Sequence, residues 1–489
     1  MKAGVWRAAV VAVTMVAQSS GSPPRFEPVQ PDLLSAGGTL VNAAADYDGD
    51  GDLDLFVGFN GAANRLYRND GGSFTDVGTA AGLADARPTR AAAWGDFDGD
   101  GDADLFVGFA PAPGSASVLR LYRNDRGHFA DVTAPSGIAI TAGAVRQPAW
   151  VDFDGDGDLD LFVGFRDRAD VLFRNARGTF EDVAPQVGLA DTRKTVGAVW
   201  FDYDEDGDLD LYAAHMDGDA NGLFRNDAGR FTDVAEAAGV AWGGRSPRDP
   251  ANGTVRPCAA DVDGDGRFDL ITANYGPNGL FLNRGGKFQD VSAAWGIAID
   301  SRYDTCALAD FDNDGRIDLY VNGTVTGGTS YRDYLFRNTG ASFEDVTPET
   351  IRSREADHGA LWADFDGDGA EDLALTGSQP AGMHSVLRNL LPAAAAARSI
   401  AIRVVDGQKR ASRAGAEVRV YAAGTRRLIG ARLVDSGSGY DAQSDMPVRV
   451  GIGPAGRVDV EVTYPAAGRR ITARLSGLPA HTLNTIVVR

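Results

Sequence analysis

The chain has few of the residues on which catalytic sites and disulfide scaffolds are built. Its 489 residues contain two cysteines and five scattered histidines, and no G-x-S-x-G or H-E-x-x-H motif occurs. Two cysteines cannot frame a disulfide-built scaffold. The sequence therefore shows no convergent acid, base or nucleophile, and we expect a protein that is not an enzyme.

Long apolar runs are equally scarce. One such run, residues 8–17, follows Lys2 and Arg7, and it is too short to span a bilayer. A positively charged N-terminus, followed by an apolar stretch and then by small residues, is typical of a secretory signal peptide. A membrane anchor is the alternative. We expect a signal peptide over residues 1–22, no membrane span, and a secreted protein, or a periplasmic or cell-surface one if the source is bacterial.

Positive charge is also in deficit. Lys and Arg number 47 against 68 Asp and Glu, which gives a net charge of −21. This balance argues against nucleic acid as a partner. Hydrophobic residues make up 44% of the chain and glycine occurs 62 times, which together favour a packed, turn-rich β protein.

One acidic motif, D-x-D-x-D-G-x-x-D, occurs seven times. We call these segments the aspartate loops; they begin at Asp46, Asp96, Asp152, Asp202, Asp261, Asp310 and Asp364. An apolar run follows each loop, then a short stretch ending in Asn such as LYRN, and in six copies F-x-D-V. Four short strands in a repeat of about 50 residues are typical of a β-propeller blade. Seven copies predict seven blades.

The ends of the repeat region predict how the ring closes. The seventh repeat lacks F-x-D-V, and Phe26-Glu27-Pro28-Val29 lies before the first loop. We expect strand 26–33 to complete the last blade of a propeller spanning 26–390. Residues 391–398 form a predicted linker, and alternating apolar residues over 399–489 predict a small β-sandwich. The predicted fold class is all-β, a seven-bladed β-propeller followed by a sandwich domain.

The spacing within the loops is typical of calcium binding. In calcium loops of the EF-hand type, positions 1, 3 and 5 supply side-chain oxygens, position 6 is glycine, and position 7 supplies its backbone carbonyl. Here positions 1, 3, 5 and 9 are always Asp and position 6 always Gly, whereas position 7 varies. Without a cation such carboxylates repel one another. We expect about seven Ca²⁺ ions; plain Asp-Gly turns are the alternative.

Positions 1, 3, 5, 7 and 9 of each loop are the predicted metal ligands, position 7 through its carbonyl. They are Asp46, Asp48, Asp50, Asp52 and Asp54; Asp96, Asp98, Asp100, Asp102 and Asp104; Asp152, Asp154, Asp156, Asp158 and Asp160; Asp202, Asp204, Asp206, Asp208 and Asp210; Asp261, Asp263, Asp265, Arg267 and Asp269; Asp310, Asp312, Asp314, Arg316 and Asp318; and Asp364, Asp366, Asp368, Ala370 and Asp372.

The loops and their apolar flanks resemble FG-GAP repeats of the VCBS type, as in integrin α-subunit propellers. The pattern LYRN…G-x-F-x-D-V is similar to the cartilage acidic protein family and its bacterial relatives. RAGAEVRVYAAG, VDSGSGYDAQSD and VRVGIG resemble the ASPIC/UnbV domain, although TYPAAG at 463–468 stands where that family more often has tryptophan. The resemblance implies calcium binding and adhesion or glycan-type recognition, without a known reaction.

The partner is predicted only by class. We expect a monomeric, non-catalytic binding or adhesion module for a carbohydrate or an extracellular protein; a propeller-fold polysaccharide lyase or hydrolase is the alternative. The loops opposite the aspartate loops are the favoured ligand face, and they carry His215, Trp242, Arg245, Tyr331 and His358.

Two further questions stay open at this point. Residues 398–489 contain 15 Lys and Arg against 7 Asp and Glu, a net +8, and the remainder carries −29. Such a tail docks on the acidic propeller, binds acidic polysaccharide, or is simply solvated. Cys258 and Cys306 either pair between neighbouring repeats or are two buried thiols.

Overall fold

The computed structural model describes residues 23–112, 114, 116–326, 328–352, 354, 358–378, 384–411, 413–435, 437, 442–443 and 447–489. The predicted signal peptide lies outside these ranges. The described chain is all-β apart from six helices of four residues each. No helix in these ranges is long and apolar enough to cross a membrane.

Most of the strands lie before residue 390. They are β1 (Phe26–Pro28), β2 (Thr39–Ala45), β3 (Asp54–Phe59), β4 (Arg65–Asn69), β5 (Phe74–Asp76), β6 (Thr89–Gly95), β7 (Asp104–Phe109), β8 (Leu119–Asp125), β9 (His128–Asp131), β10 (Val145–Val151), β11 (Asp160–Phe165), β12 (Val171–Ala176), β13 (Thr179–Asp182), β14 (Thr195–Phe201), β15 (Asp210–His215), β16 (Gly222–Asn226), β17 (Phe231–Asp233), β18 (Gly253–Ala260), β19 (Asp269–Pro277), β20 (Gly279–Asn283), β21 (Phe288–Asp290), β22 (Asp300–Ala309), β23 (Asp318–Gly323), β24 (Val325–Thr326), β25 (Thr329–Ser330), β26 (Tyr334–Asn338), β27 (Phe343–Asp345), β28 (Ala360–Ala363), β29 (Asp372–Leu375) and β30 (Ser385–Asn389).

The other elements are the short helices and the strands of the C-terminal part. They are α1 (Gly78–Ala81), α2 (Thr133–Ser136), α3 (Ala184–Val187), α4 (Ala235–Ala238), α5 (Glu349–Arg352) and α6 (Ala393–Ala396), then β31 (Ser399–Val405), β32 (Glu417–Ala422), β33 (Leu428–Leu433), β34 (Ala442–Gln443), β35 (Val448–Gly451), β36 (Arg457–Pro465), β37 (Arg470–Pro479) and β38 (Leu483–Val487).

Of the thirty strands up to residue 389, all but β24 and β25 form seven four-stranded antiparallel units, which we call meanders. In chain order they are β2 to β5, β6 to β9, β10 to β13, β14 to β17, β18 to β21, β22-β23-β26-β27, and β28-β29-β30 with β1. β24 and β25 form a separate hairpin, and pairing of β19 with β22 joins the fifth and sixth meanders into one sheet. β1 precedes the first meander in sequence but pairs with β30 of the last, with Phe26 opposite Asn389. The first strands of successive meanders are neighbours, and those of the seventh and first are also in contact. The fold is propeller-like.

Burial along a meander explains its sequence. The second strand, such as DLFVGF in β3, is buried at every residue because its sheet is covered on both faces by neighbouring sheets. The fourth strand, such as FTD in β5, buries only its phenylalanine, since it is the outer edge. Apolar runs therefore mark inner strands, and F-x-D marks the edge.

Cys258 and Cys306 form a disulfide. They lie on β18 and β22, the first strands of the fifth and sixth meanders. Cys258 stands three residues before its aspartate loop and Cys306 four residues before, so their side chains leave opposite faces of equivalent strands. Because neighbouring sheets stack face to face, opposite faces are the ones that meet.

The C-terminal part contains two further sheets, β35-β31-β38 and β33-β32-β36-β37. Their apolar residues, including Ile402, Val418 and Val460, share one continuous core with Trp200 and Leu209 of the fourth meander. A parallel pairing of β34 with β2 makes a second connection. The C-terminal sheets are thus packed onto the end of the meanders where the aspartate loops lie.

Candidate metal sites

Each aspartate loop connects the first and second strands of a meander, so all seven lie at one end of the molecule. The glycine at position 6 has a positive φ in every copy, from 91° at Gly266 to 100° at Gly51. Side chains other than glycine rarely adopt this conformation, which explains the invariant residue. It turns the chain back so that both halves of the loop face one point.

The aspartate at position 9 is the buried pivot of the loop. In the first copy, Asp54 Oδ1 accepts a hydrogen bond from the Asn69 backbone N–H at 2.8 Å, and Oδ2 accepts one from the Tyr47 N–H at 3.1 Å. The same pair of bonds recurs at Asp104, with Asn124 and Phe97 as donors. Each oxygen keeps a second lone pair free for a cation.

The aspartates at positions 1, 3 and 5 shape the loop around that pivot. Asp96 accepts hydrogen bonds from the N–H groups of Gly99 and Gly101, and Asp100 accepts one from Asp102 N–H at 2.9 Å. In at least four of the loops, ligand oxygens from three aspartates lie within 4.8 Å of one another. These sets are Asp46, Asp48 and Asp50; Asp96, Asp98 and Asp104; Asp152, Asp154 and Asp160; and Asp202, Asp204 and Asp206.

Several position-7 side chains turn away from this group. Asp52 Oδ2 accepts a hydrogen bond from Gly71 N–H at 2.8 Å, in the turn between the third and fourth strands. Asp102 Oδ2 likewise accepts a hydrogen bond from Arg126 N–H at 3.0 Å. Arg316 contacts both regions, since its Nε donates to the Asn338 carbonyl at 2.8 Å and its guanidinium pairs with Asp314 of its own loop. The position-7 side chains thus differ in their contacts, which is compatible with a ligand role for the position-7 backbone carbonyl alone.

The asparagine that ends each third strand was not predicted as a functional residue. Asn69 Nδ2 donates to the Leu53 carbonyl in its own loop and to the Phe365 carbonyl in the loop of the seventh meander, at 3.0 and 2.7 Å. Equivalent bonds to the preceding loop are made by Asn124, Asn175, Asn226, Asn283, Asn338 and Asn389. These amides tie each loop to the next around the whole set, and their recurrence in all seven repeats was the available signal.

Burial disfavours the ionised form of the aspartates at position 9, and to a smaller extent of those at position 1. It raises the pKa of Asp54 to about 8 and that of Asp104 to about 9, with neighbouring aspartates adding to the shift. At position 1, burial raises the pKa of Asp96 and Asp261 to about 6. A proton, a metal cation or a neighbouring guanidinium must therefore balance the charge of these buried carboxylates.

The pH dependence of the chelated protein follows from these values. A carboxyl whose pKa is about 4 when unfolded and about 8 when folded stabilises the fold below pH 4, and that stabilisation is lost as pH rises through 8. In EDTA, we expect the melting temperature to fall between pH 5 and pH 9. With excess Ca²⁺, which competes with protons, the fall should disappear. Calorimetry at both conditions measures this, and a flat EDTA profile contradicts it.

Sequence comparison agrees with the geometry of the loops. A model of the FG-GAP-like repeat matches residues 20–107, 109–163, 152–213, 202–271 and 261–321, and a model of ASPIC and UnbV matches 406–487. The chain belongs to the FG-GAP-like repeat family. Its expected resemblance to proteins of the cartilage acidic protein type with a C-terminal ASPIC and UnbV domain is confirmed.

The relatives share part of their length with this chain. Cartilage acidic protein 1 of Mus musculus is 27% identical over 363 residues, which cover 68% of this chain and 53% of the relative. The Xenopus tropicalis protein of the same name is 30% identical over 262 residues, covering 50% and 38%. The chain thus spans about half or less of the curated relatives it matches, none of which is named as an enzyme.

Solved structures with a similar arrangement have low sequence identity. A lectin of Agrocybe aegerita that recognises non-reducing terminal N-acetylglucosamine is 20% identical, with a TM-score of 0.41, and the match covers 64% of this chain and 81% of the lectin. The biofilm matrix protein Bap1 of V. cholerae is 12% identical, with a TM-score of 0.34, and the match covers 94% and 71%.

Arginines of the C-terminal part reach into the aspartate loops of the FG-GAP-like repeats. Five of them each approach the position-1 aspartate of a different loop. The pairs are Arg403 with Asp46 at 3.7 Å, Arg413 with Asp152 at 3.6 Å, Arg432 with Asp310 at 3.8 Å, Arg449 with Asp364, and Arg470 with Asp202. Of the three interpretations of the basic tail, intramolecular docking is therefore the one that the structure shows.

The tyrosine that departs from the ASPIC and UnbV pattern takes part in this docking. Tyr464 is fully buried, and its hydroxyl donates to Asp152 Oδ2 at 3.3 Å. The Arg413 guanidinium lies 4.6 Å from the centre of its ring. Tyrosine thus makes a polar contact with a loop carboxylate as well as an apolar one with its neighbours.

Two residues predicted on the ligand face are buried instead. His215 is 0% exposed and Arg245 3% exposed. The Arg245 guanidinium donates to the His215 carbonyl and to Thr254 Oγ1, both at 3.2 Å, so it is held inside the fold. The expectation that they face a ligand in solvent is wrong, whereas Trp242 and Tyr331 are half-buried.

Proposed function

We propose that the protein is an exported, non-catalytic binding module whose FG-GAP-like repeats are held together by about seven Ca²⁺ ions. The observation that carries this proposal is the convergence of carboxylates in the aspartate loops, within 4.8 Å in at least four of them. The position-7 side chains Asp52 and Asp102 are turned away from these groups. Each ion takes side-chain oxygens from positions 1, 3, 5 and 9 and the carbonyl of position 7.

The oxygen-only ligand set favours calcium among the common cations. Ca²⁺ accepts six to eight oxygens in flexible geometry, whereas Mg²⁺ requires a stricter octahedron and keeps several waters. Neither imidazole nor thiolate occurs in the loop motif, so these loops do not suit zinc or copper. Extracellular calcium modules bind at about 0.1–1 mM, which fits an exported protein.

The finer architecture belongs to the same proposal. We infer a closed ring of seven blades, supported by the asparagine bridge from Asn69 to the loop of the seventh meander and by the pairing of β1 with β30. The two C-terminal sheets form a small sandwich around Ile402, Val418 and Val460. This sandwich covers the aspartate-loop end of the ring.

The partner then binds at the other end of the ring. Because the C-terminal sheets cover the aspartate loops, the connections between second and third strands and between successive meanders form the free end. Trp242, with Arg245 5.5 Å from its ring centre, and the hairpin β24–β25 lie there. A carbohydrate or an extracellular protein is the proposed partner of a monomer.

Calcium stoichiometry tests the proposal directly. Isothermal titration of the chelator-treated protein should give about seven Ca²⁺ per chain, and Asp98→Asn/Asp100→Asn should give about one fewer. The control Asp70→Asn/Asp125→Asn removes the same charge from exposed residues outside the loops and should leave the number unchanged. Equal stoichiometry in the loop variant and the control would contradict calcium binding at the second loop.

A further inference from the structure

Three metal-ligating side chains meet at the junction of the third and fourth meanders, at the end away from the aspartate loops. Asp170 precedes β12, Asp191 lies between α3 and β14, and His215 ends β15. One ligand atom of each lies within 4.8 Å of those of the other two. Asp170 is 2% exposed and His215 0% exposed, so the cluster is internal.

The imidazole of His215 is oriented by a hydrogen bond at one of its two nitrogens. Its Nδ1 lies 2.7 Å from the Ala220 carbonyl, which can only accept a hydrogen bond, so Nδ1 carries the proton. Nε2 meets no hydrogen-bond partner in good geometry among the described residues, although it lies 3.2 Å from Asp191 Oδ2. In the neutral imidazole, Nε2 presents its lone pair to the two carboxylates. A backbone acceptor on the distal nitrogen is how metal-binding histidines are oriented.

The junction of the first and second meanders is an internal counterpart of this cluster. Phe109 pairs with Thr89 there just as His215 pairs with Thr195. The Arg87 guanidinium lies 3.7 Å from the centre of the Phe109 ring. An apolar ring therefore suffices at this position to pack the junction.

The second difference between the junctions is at the residue before the third strand. Asn64 Oδ1 accepts a hydrogen bond from Phe59 N–H at 3.0 Å, and Asp170 Oδ1 accepts one from Phe165 N–H at 2.8 Å. The amide thus performs the structural role without charge. Asn221 does the same in the fourth meander, accepting from the His215 N–H at 2.9 Å.

The third member is common to both junctions. Asp85 and Asp191 each accept hydrogen bonds from the Nε of an arginine two residues later. Relative to the first junction, the third has therefore exchanged an amide for a carboxylate and a phenyl ring for an imidazole. Both exchanges add a metal ligand beside an existing carboxylate.

The side chains at the cluster carry more negative than positive charge. Asp170 and Asp191 carry two negative charges when ionised, and Arg193, 2.7 Å from Asp191 Oδ2, supplies one positive charge. Asp170 Oδ2 accepts a hydrogen bond from Thr195 Oγ1 at 2.7 Å, which fixes this carboxyl group beside His215. A divalent cation between the carboxylates and Nε2 would balance the remaining negative charge.

We propose that Asp170, Asp191 and His215 bind one divalent transition-metal ion of the zinc class. One imidazole and two carboxylates suit Zn²⁺ and its neighbours, whereas calcium takes oxygen ligands only. For metal–ligand bonds of about 2.0–2.1 Å, a tetrahedral site places its ligand atoms roughly 3.3 Å apart, close to the separation of Nε2 and Asp191 Oδ2. The proposal is independent of calcium in the aspartate loops.

Zinc titration of the full-length folded protein tests it. The chelator-treated protein is returned to a constant excess of Ca²⁺ and titrated with Zn²⁺ by calorimetry. The variant Asp170→Asn/His215→Phe recreates the first junction and should bind one zinc fewer than the wild type. Asp170→Asn alone should weaken that zinc site at least about tenfold.

Two outcomes would overturn the proposal. One is an equal number of zinc ions in the wild type and the double variant, both folded by circular dichroism. If the double variant does not fold, an unchanged zinc affinity of Asp170→Asn overturns it instead. Zinc-edge anomalous scattering should place a peak between Asp170 and His215. Calcium stoichiometry, measured on the same samples, reports separately on the aspartate loops.

Discussion

Removal of calcium should lower the melting temperature of the protein by on the order of 10 °C. A ligand that binds only the folded state adds RT ln(1 + [L]/Kd), which is about 1.4 kcal/mol per site at ten times Kd. Seven such sites add roughly 10 kcal/mol, comparable to the whole stability of a typical domain. Spread over the unfolding entropy of some 360 residues, this corresponds to a shift of about that size.

Differential scanning calorimetry in excess EDTA and in about 5 mM Ca²⁺ measures the shift, with Mg²⁺ at equal concentration as the control for ion specificity. Asp98→Asn/Asp100→Asn should lose about one seventh of the calcium-dependent stabilisation, and Asp70→Asn/Asp125→Asn should retain it all. A melting temperature that calcium does not raise above its magnesium value would leave the aspartate loops as plain turns.

Much of this architecture was accessible from sequence because each repeat encodes its own unit. The apolar run DLFVGF predicts an inner strand, Gly51 marks the turn of the loop, and Phe74 marks the edge strand; none of these depends on distant residues. Recurrence in seven copies then separates the motif from chance. The all-β, propeller-like fold and the family followed from these local signals.

Contacts between repeats were harder to predict, since they depend on how sheets stack. The sequence shows that Cys258 and Cys306 stand at positions one residue apart relative to their aspartate loops. It does not show which faces of the neighbouring sheets meet. The sequence places His215 on an exposed loop, whereas it ends β15 and its imidazole lies against Asp191, which comes from the connection between two meanders. Comparison of Asn64 with Asp170, position by position, was the available signal for the cluster at the third junction.

The end covered by the C-terminal sheets could not be assigned from charge alone. A net charge of +8 against −29 is compatible with docking anywhere on an acidic surface. The choice depends on single side chains, above all Arg470, which contacts both Asp202 and Glu417. These carboxylates are 0% and 1% exposed, so the pairs are desolvated and not surface pairs.

Replacement of Arg470 should therefore be costly. Breaking a buried ion pair from one side leaves an uncompensated charge and costs about 3–5 kcal/mol. We expect Arg470→Ala to lower the free energy of unfolding by that amount in urea denaturation at pH 8. This pH is chosen because burial, opposed by Arg470, raises the pKa of Asp202 to about 7, so the carboxylate of the wild-type protein is ionised at pH 8.

Arg474→Ala is the matched control on the same strand. Its partner is Glu461, and the arginine side chain is 59% exposed, so the loss should be below about 1 kcal/mol. Calcium provides a second comparison: an ion at the fourth loop neutralises Asp202, so Arg470→Ala should cost less in Ca²⁺ than in EDTA. Equal losses for the two arginines would show that Arg470 does not anchor the C-terminal sheets. If calcium leaves the stability loss of Arg470→Ala unchanged, the docking of the C-terminal sheets is independent of the metal site at the fourth loop.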